Sequence, residues 1–488
     1  MSAELCPSQA AGLATQLDAA KQRVTDLENA LAAALGRATP ANDGDAAPGA
    51  VSRAALVSHL RRTSGARTES GSLPTLLVVS LGRFPFKNES LEHAVADEVY
   101  MEVTSRLEGL AGGSNVVARV SEHEFAIVVG GADADAALRL AVGAIDMLAT
   151  RIAVGEYTLW LEASVGIRFG SRGQSAEDHI RDAALAAAHA GEKSHDRIQV
   201  FVPAMLEMAS QQVQMIADLH TALANDELDL YYQPVVDLGS GRILGVEALV
   251  RWNHPRWGHI QPAAFLPAAE QGGLMVPLGK WVLGRAVWQL QQWAGETDLD
   301  HDFKVHVNLS PGEIQRWQLV AELRGLLRRH DVPANRIALE ITESAVLSDS
   351  DHTAKILLGL RKLGVGLEID DFGTGYSSIS YLRNLPVDTA KVDRSLVSGL
   401  ANDPRQLEFV AAILMLIKAA RLQVVAEGIE TPEQADLLYR LGCRKGQGFL
   451  YSKPVPAIRL SEMLTGGLVF RSAGAVSAEP HAELGTHH

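Results

Sequence analysis

From Glu227 to about Met463 the chain alternates strand-like and helix-like stretches without interruption. The strand candidates are LDLYYQPVV (228–236), ILGVEALVRW (243–252), KVHVNLS (304–310), IALEITE (337–343), GVGLEID (364–370), TAKVDRS (389–395), QVVAEGI (423–429) and QGFLYS (447–452). Amphipathic segments such as AKILLGLRKL (354–363) and FVAAILMLIKAA (409–420) fill the intervals. Eight strands with helical crossovers predict an α/β fold, a TIM-like (β/α)8 barrel, whose reacting groups sit at the C-terminal strand ends.

Polar residues recur at those ends: Glu247, Asn308, Glu340 with Glu343, Asp370 with Asp371, Lys391, Glu427 and Gln447. Strands buried on both faces ordinarily carry Val, Ile or Leu, so polar groups on seven consecutive strands point to one shared site. Taken alone, Asp370-Asp371 before the glycine-punctuated loop Phe372–Ser378 also reads as a solvated acidic turn. Adjacent carboxylates repel unless a cation, a proton or solvent relieves them. The other strand ends decide for a site. Six carboxylates, two amides and one lysine, with no cysteine or histidine, favour Mg²⁺ or Mn²⁺ over zinc. Two such ions activate a water and clamp a phosphodiester, which predicts hydrolysis of a phosphate ester. Glu368 shares the face of Asp370 but lies deeper, a supporting position rather than a catalytic one.

The 488 residues suffice for roughly three domains. A net charge of -14 argues against a nucleic-acid groove or an anionic membrane surface as the main partner. Only Cys6 and Cys443 occur, so no disulfide framework or cysteine zinc site is indicated. No apolar run approaches the ~20 residues that span a bilayer, and MSAELCPSQAAG has no signal-peptide pattern, so a cytoplasmic location is expected.

Within residues 1–36, Leu13, Leu17, Ala20, Val24, Leu27, Leu31 and Ala34 form a heptad-like seam, either a coiled coil or one helix packed on a domain. Residues 37–70 are expected to be a linker, and 71–202 an α+β domain. That domain has strands at 76–81, 116–120, 125–129, 157–169 and 197–202, and helices at 90–110, 134–151 and 176–190. A connecting helix over 203–218, the barrel over 219–466 and a disordered tail over 467–488 complete the expected order.

The α+β segment resembles a GGDEF (diguanylate cyclase) domain through VARVSEHEF, ASVGIRFG and RDAALAAAHAGEKSHDRIQVF. The resemblance is to the scaffold. Ser121-Glu122-His123-Glu124-Phe125 stands in place of the signature turn, removing the glycines that let a nucleotide approach the backbone. Ser80 and Gly82 replace the family's aspartates, Pro85 its lysine, and Gly112 and Asn115 fall where its inhibitory RxxD pattern would lie. Glu122, His123 and Glu124 are either solvated turn residues or a metal cluster.

The barrel resembles an EAL-type cyclic di-GMP phosphodiesterase over some 240 residues, through Glu247-Ala248-Leu249, HVNLSP, LEITES, DDFGTGYSSISYL, KVDRS, VAEGIET and QGFLYSKP in family order. The resemblance implies a first strand antiparallel to the rest. It also implies that Glu247, Asn308, Glu340 and Asp370 hold one metal ion, that Asp370 and Asp371 hold a second, and that Glu427 acts as ligand or base. Lys391 would orient the hydrolytic water, and Gln447 would lie behind the ligands. Gln233, Leu249 and Arg251 would contact the substrate, and Glu343 would pin the loop carrying Gly373 and Gly375. On the residues alone, Glu343 and Gln447 are equally readable as structural, and Arg251 as the partner of a ring acid. The expected activity is hydrolysis of cyclic di-GMP to linear pGpG with two Mg²⁺ or Mn²⁺ ions, regulated by the GGDEF-like domain. The expected assembly is a homodimer through the barrel, with the N-terminal helix a second contact. The alternative is a non-catalytic cyclic di-GMP receptor that signals to a protein partner.

Overall fold

The computed structural model describes residues 51–65, 74–82, 89–113, 115–130, 134–154, 157–171, 174–192, 196–297, 299–343, 345, 350–373 and 385–470. The expected N-terminal seam, Gly375 and the end of the tail lie outside them. The chain divides into two compact units, Met1–Val213 and Gln214–His488. Among the described residues no helix is long and apolar enough to cross a membrane.

The first unit is built on strands β1 (Thr75–Leu81), β2 (Val116–Arg119), β3 (Glu124–Val129), β6 (Ala163–Arg168) and β7 (Ile198–Val200), in the order β2-β3-β1-β6-β7. A two-stranded hairpin, β4 (Ile152–Val154) with β5 (Tyr157–Leu159), stands apart from this sheet. The strand expected over 157–169 is therefore two strands, and 152–154 is a strand that the sequence reading missed. Leu76 and Val78 of β1 face one apolar cluster while Leu77 and Val79 face another, so the period-two alternation buries both sheet faces.

The linker expected over 37–70 contains the helix Arg53–Gly65. Leu56 and Leu60, one turn apart, are fully buried against Leu76, Val78, Ile180 and Ala183, so the segment belongs to the domain core.

The second unit opens with β8 (Leu228–Asp237), β9 (Ile243–His254) and β10 (Gly258–Ile260). It continues with β11 (Lys304–Leu309), β12 (Ile337–Thr342), β13 (Gly366–Phe372), β14 (Thr389–Val392), β15 (Gln423–Ala426), β16 (Lys445–Gly446) and β17 (Val455–Pro456). Parallel pairing runs from β9 through β16, and β8 closes the barrel by pairing antiparallel with both β9 and β16. The antiparallel first strand is as expected. The last strand is not, because QGFLYS is a turn and the strand lies just before it. Gly448 packs so closely on Ile429 that a Cβ would meet its carbonyl oxygen at 2.1 Å, and Leu450 N–H donates to that same carbonyl. The chain folds back there instead of extending.

Two other boundaries move for local reasons. β14 stops at Val392 because Asp393 caps the short helix Arg394–Ser398, its carboxylate accepting from Ser395 N–H at 2.9 Å. The connecting helix runs over Ala204–Ala222, beyond the expected end at 218. Of the tail, residues 467–470 are described, and Phe470 N–H donates to Gly241 C=O at 2.8 Å.

Burial of Leu60 predicts that Leu60→Ala lowers the stability of the first unit by about 2–5 kcal/mol. Urea denaturation of the full chain would show this as an earlier first transition. An unchanged transition would contradict the placement of the helix in the core.

Candidate active site

Strand pairing, antiparallel between β8 and β9 and parallel from β9 onward, brings the strand-end residues together. Gln233 pairs with Glu247, Asn308 with Glu340, and Thr342 with Asp370. Alternation then turns Glu247, Asn308, Glu340, Asp370, Lys391, Glu427 and Gln447 toward the barrel axis.

Lys391 occupies the centre. Its Nζ lies 2.6 Å from Glu427 Oε1, 2.8 Å from Glu340 Oε2, 3.2 Å from Asp370 Oδ1 and 3.7 Å from Glu247 Oε2. Asn308 Nδ2 donates to Glu247 Oε1 at 2.8 Å. Gln447 Nε2 donates to Glu247 Oε2 at 2.7 Å and to Glu427 Oε1 at 3.2 Å.

One ammonium among four carboxylates leaves the buried ring short of positive charge. Burial alone would lower the Lys391 pKa, but Glu247, Glu340, Glu427 and Asp370 outweigh it and hold the ammonium well above the usual lysine range. Burial, with Glu247, Asp370 and Glu368, pushes Glu340 well above the carboxylate range. Glu427 is pushed up to about 7, first by burial and then by Asp370 and Glu247. Glu247 moves down, because Lys391, Gln447 and Asn308 together overcome its burial.

Asp370 and Asp371 are neighbours in one strand, so strict alternation would point them to opposite faces. The pairing of β13 with β14 resolves this: Ile369 faces Ala390 and Phe372 faces Val392, an extra residue in β13. Asp371 takes φ 54°, in the left-handed region that aspartate tolerates better than most residues. The bulge re-aims it, and ligand atoms of Asp370, Asp371 and Glu427 come within 4.8 Å of one another. Burial, then Asp370 and Asp393, raises the Asp371 pKa.

The donor set fits a hard divalent cation. The donors are oxygens, and Glu340 Oε1, Glu340 Oε2 and Asp370 Oδ1 are buried without a hydrogen bond of good geometry.

Residues assigned to substrate lie around this ring. Gln233 is buried and donates Nε2–H to Ser452 C=O at 3.1 Å. Arg251 is buried, donates to Val250 C=O and lies 5.6 Å from the Tyr231 ring centroid. Among the described residues it pairs with no ring acid. Leu249 is half-buried beside Glu247. Glu343 does not join the ring, and neither of its buried oxygens has a hydrogen-bond partner among the described residues. Gly373, with φ 99°, opens the following loop, and a Cβ there would meet Leu396 Cδ1 at 2.6 Å.

The sequence reading missed His306. It is buried below the ring, with Nδ1 3.0 Å from Glu368 Oε2 and 3.6 Å from Glu340 Oε1. The signal was present, since His306 stands two residues before Asn308 on the same strand face. In the first unit, His123 Nδ1 lies 3.2 Å from Tyr100 Oη, and Ser121 Oγ–H donates to Glu124 at 2.9 Å. These contacts favour a self-bonded turn over a metal cluster.

Residues 216–454 match the EAL domain family, and residues 44–197 match the family described as diguanylate cyclase, GGDEF domain. The bifunctional diguanylate cyclase/cyclic di-GMP phosphodiesterase MucR of Pseudomonas aeruginosa is 36% identical over 387 residues, covering 79% of this chain. This chain spans only 56% of the length of MucR, about half. An uncharacterized protein of Mycobacterium tuberculosis is 36% identical over 429 residues, covering 87% of this chain and 68% of that protein. A solved structure of the EAL enzyme Bd1971 in its cAMP- and cyclic-di-GMP-bound form is similar at 30% identity and a TM-score of 0.50, covering 63% of this chain and 82% of the other. The register of the barrel, its acid ring and these matches together identify the chain as a member of the family that joins a GGDEF domain to an EAL domain.

Proposed function

We propose that this chain hydrolyses cyclic di-GMP to linear 5′-pGpG at the mouth of its barrel, with two Mg²⁺ or Mn²⁺ ions. The observation that carries this reading is the buried excess of carboxylates around Lys391, a site that is electrostatically incomplete without further cations. MucR, whose name includes cyclic di-GMP phosphodiesterase activity, supplies the substrate class.

Glu247, Asn308, Glu340 and Asp370 would hold one ion, and Asp370, Asp371 and Glu427 the other. Bound there, hard divalent ions make a water acidic enough to react at neutral pH and offset charge on the phosphate. Asn308 and Gln447 hold the Glu247 carboxylate from both oxygens, fixing its orientation. Glu427 Oε1 is occupied by Lys391 and Gln447, which leaves Oε2 as the oxygen that serves as ligand or as base toward the attacking water. The water oxygen bonds to phosphorus, the P–O3′ bond breaks, and the leaving 3′ oxygen takes up a proton from solvent while the proton of the attacking water is released. Lys391 supplies fixed positive charge beside the developing negative charge. The Arg251 guanidinium, unclaimed by any ring acid, is suited to the second phosphate.

We further propose that the first unit makes no cyclic di-GMP and acts as a regulator. Glu122 and His123 stand where a nucleotide-binding turn needs glycines, and His123 is tied back to Tyr100.

Incubation of the full chain with cyclic di-GMP and Mg²⁺ or Mn²⁺ should release pGpG, and EDTA should abolish the release. Asp371→Ala should lower kcat by about a hundredfold or more, since it removes a ligand and not a core side chain. Binding of cyclic di-GMP by the wild type without any product would favour the receptor reading.

A pH dependence follows for the metal-free chain. Glu427 has its pKa raised from the ordinary 4.5 to about 7, so between these values the folded chain keeps a proton that the unfolded chain has lost. Stability in EDTA should fall as pH rises through this window, and Glu427→Gln should flatten the fall. Thermal melting across pH measures it, and an identical slope in the variant would contradict the assignment.

A further inference from the structure

The acid ring rests on a layer that the proposed reaction leaves unused. His306 on β11 and Glu368 on β13 flank β12, and their side chains meet beneath Glu340. His306 is 6% exposed and Glu368 4% exposed. Glu340 and Glu368 are register partners on neighbouring parallel strands, so two carboxylates stand side by side in a dry barrel. The imidazole relieves them, with Nδ1–H donating to Glu368 Oε2 at 3.0 Å and lying 3.6 Å from Glu340 Oε1.

Barrel layers of this kind are ordinarily filled by branched apolar side chains. Here the surrounding positions are small. A Cβ on Gly245 would meet Lys304 C=O at 2.5 Å and His306 Nε2 at 3.1 Å, and one on Gly366 would lie 3.4 Å from the Ala338 Cβ. The layer has been cleared for one imidazole and one carboxylate.

We propose that His306 and Glu368 act as a unit to position Glu340 for cation binding, a role that rests on the phosphodiesterase reading of the ring. Glu340 is 1% exposed, with Lys391 Nζ 2.8 Å from its Oε2 and His306 Nδ1 3.6 Å from its Oε1. Lys391 Nζ lies against one oxygen and the imidazole edge lies below the other, which has no hydrogen bond of its own. Glu368 locks the imidazole plane by accepting the hydrogen bond from its Nδ1–H. Outer partners of this type hold a ligand at the height and rotation that the cation requires, and their loss typically weakens metal affinity about 10–100-fold.

The competing account is that the pair merely fills space. His306→Leu combined with Glu368→Met keeps the volume and leaves no unpaired buried charge, so it separates the two accounts. Mn²⁺ binding to the full chain, followed by electron paramagnetic resonance of the free ion, should weaken about 10–100-fold in this double variant. Thermal melting should stay near wild type, and kcat should fall with KM changed less than about twofold. Glu368→Gln keeps an acceptor for His306 Nδ1–H and should retain Mn²⁺ affinity within about threefold, which a double variant that failed to fold would leave as the deciding measurement. Wild-type Mn²⁺ affinity in the double variant, a large loss in Glu368→Gln, or a wild-type chain that binds no Mn²⁺ would each overturn the proposal. The Mn²⁺ titration uses no substrate, so a wild type that binds Mn²⁺ but releases no pGpG would count against the phosphodiesterase reading alone.

Discussion

The placement of one buried lysine governs the second unit. Lys391 Nζ lies within 3.2 Å of three carboxylates, two on strands β12 and β13 and one just past the end of β15, and within 3.7 Å of a fourth. At an effective dielectric near 20, each close contact is worth on the order of 5 kcal/mol of attraction. Desolvation of five charged groups and repulsion among the acids offset much of that gain. The result is a ring that tolerates its own burial through one cation and calls for more. Ring acids shift in opposite directions as a consequence: Glu247, bonded by two amides, goes down, while Glu340 and Glu427 go up.

The barrel accommodates this charge by giving up an apolar interior. Successive interior positions carry Glu247, His306, Asn308, Glu340, Glu368, Asp370 and Lys391, while the apolar side chains of the same strands face the surrounding helices. Val305, Val307, Leu339, Ile341, Leu367 and Ile369 are all buried on that outer side. Stability therefore comes from the strand–helix layer, and the interior is left for chemistry. The bulge at Asp371 extends the same arrangement by one residue, placing a second carboxylate at the mouth at the cost of a left-handed backbone.

Much of this was legible from residue order because two periodicities coincide. Polar residues at the ends of apolar strands, repeated strand after strand, revealed the ring, and the helical spacing between strands revealed the barrel. What stayed hidden depended on geometry that the letters do not encode. EIDDF contains no Gly or Pro to announce a bulge, so only the backbone at Asp371 shows how two consecutive aspartates share a face. His306 lies one alternation below Asn308, inside the strand and not at its polar end, so strand-end residues alone do not reveal it. The Pro/Gly-rich stretch before the helix Arg53–Gly65 masks it, although Leu56 and Leu60 stand at helical spacing. QGFLYS has strand-like residues, and a close approach of Gly448 to Ile429 turns it away.

The central claim is that the excess carboxylates around Lys391 exist to hold two divalent ions over a phosphodiester. Anomalous diffraction from crystals grown with Mn²⁺ and cyclic di-GMP tests it most directly. The account predicts two peaks, one among Glu247, Asn308, Glu340 and Asp370 and one among Asp370, Asp371 and Glu427, with a substrate phosphate beside them. Cyclic di-GMP bound at the mouth with no anomalous peak in the ring, or with Mn²⁺ only elsewhere, would contradict it.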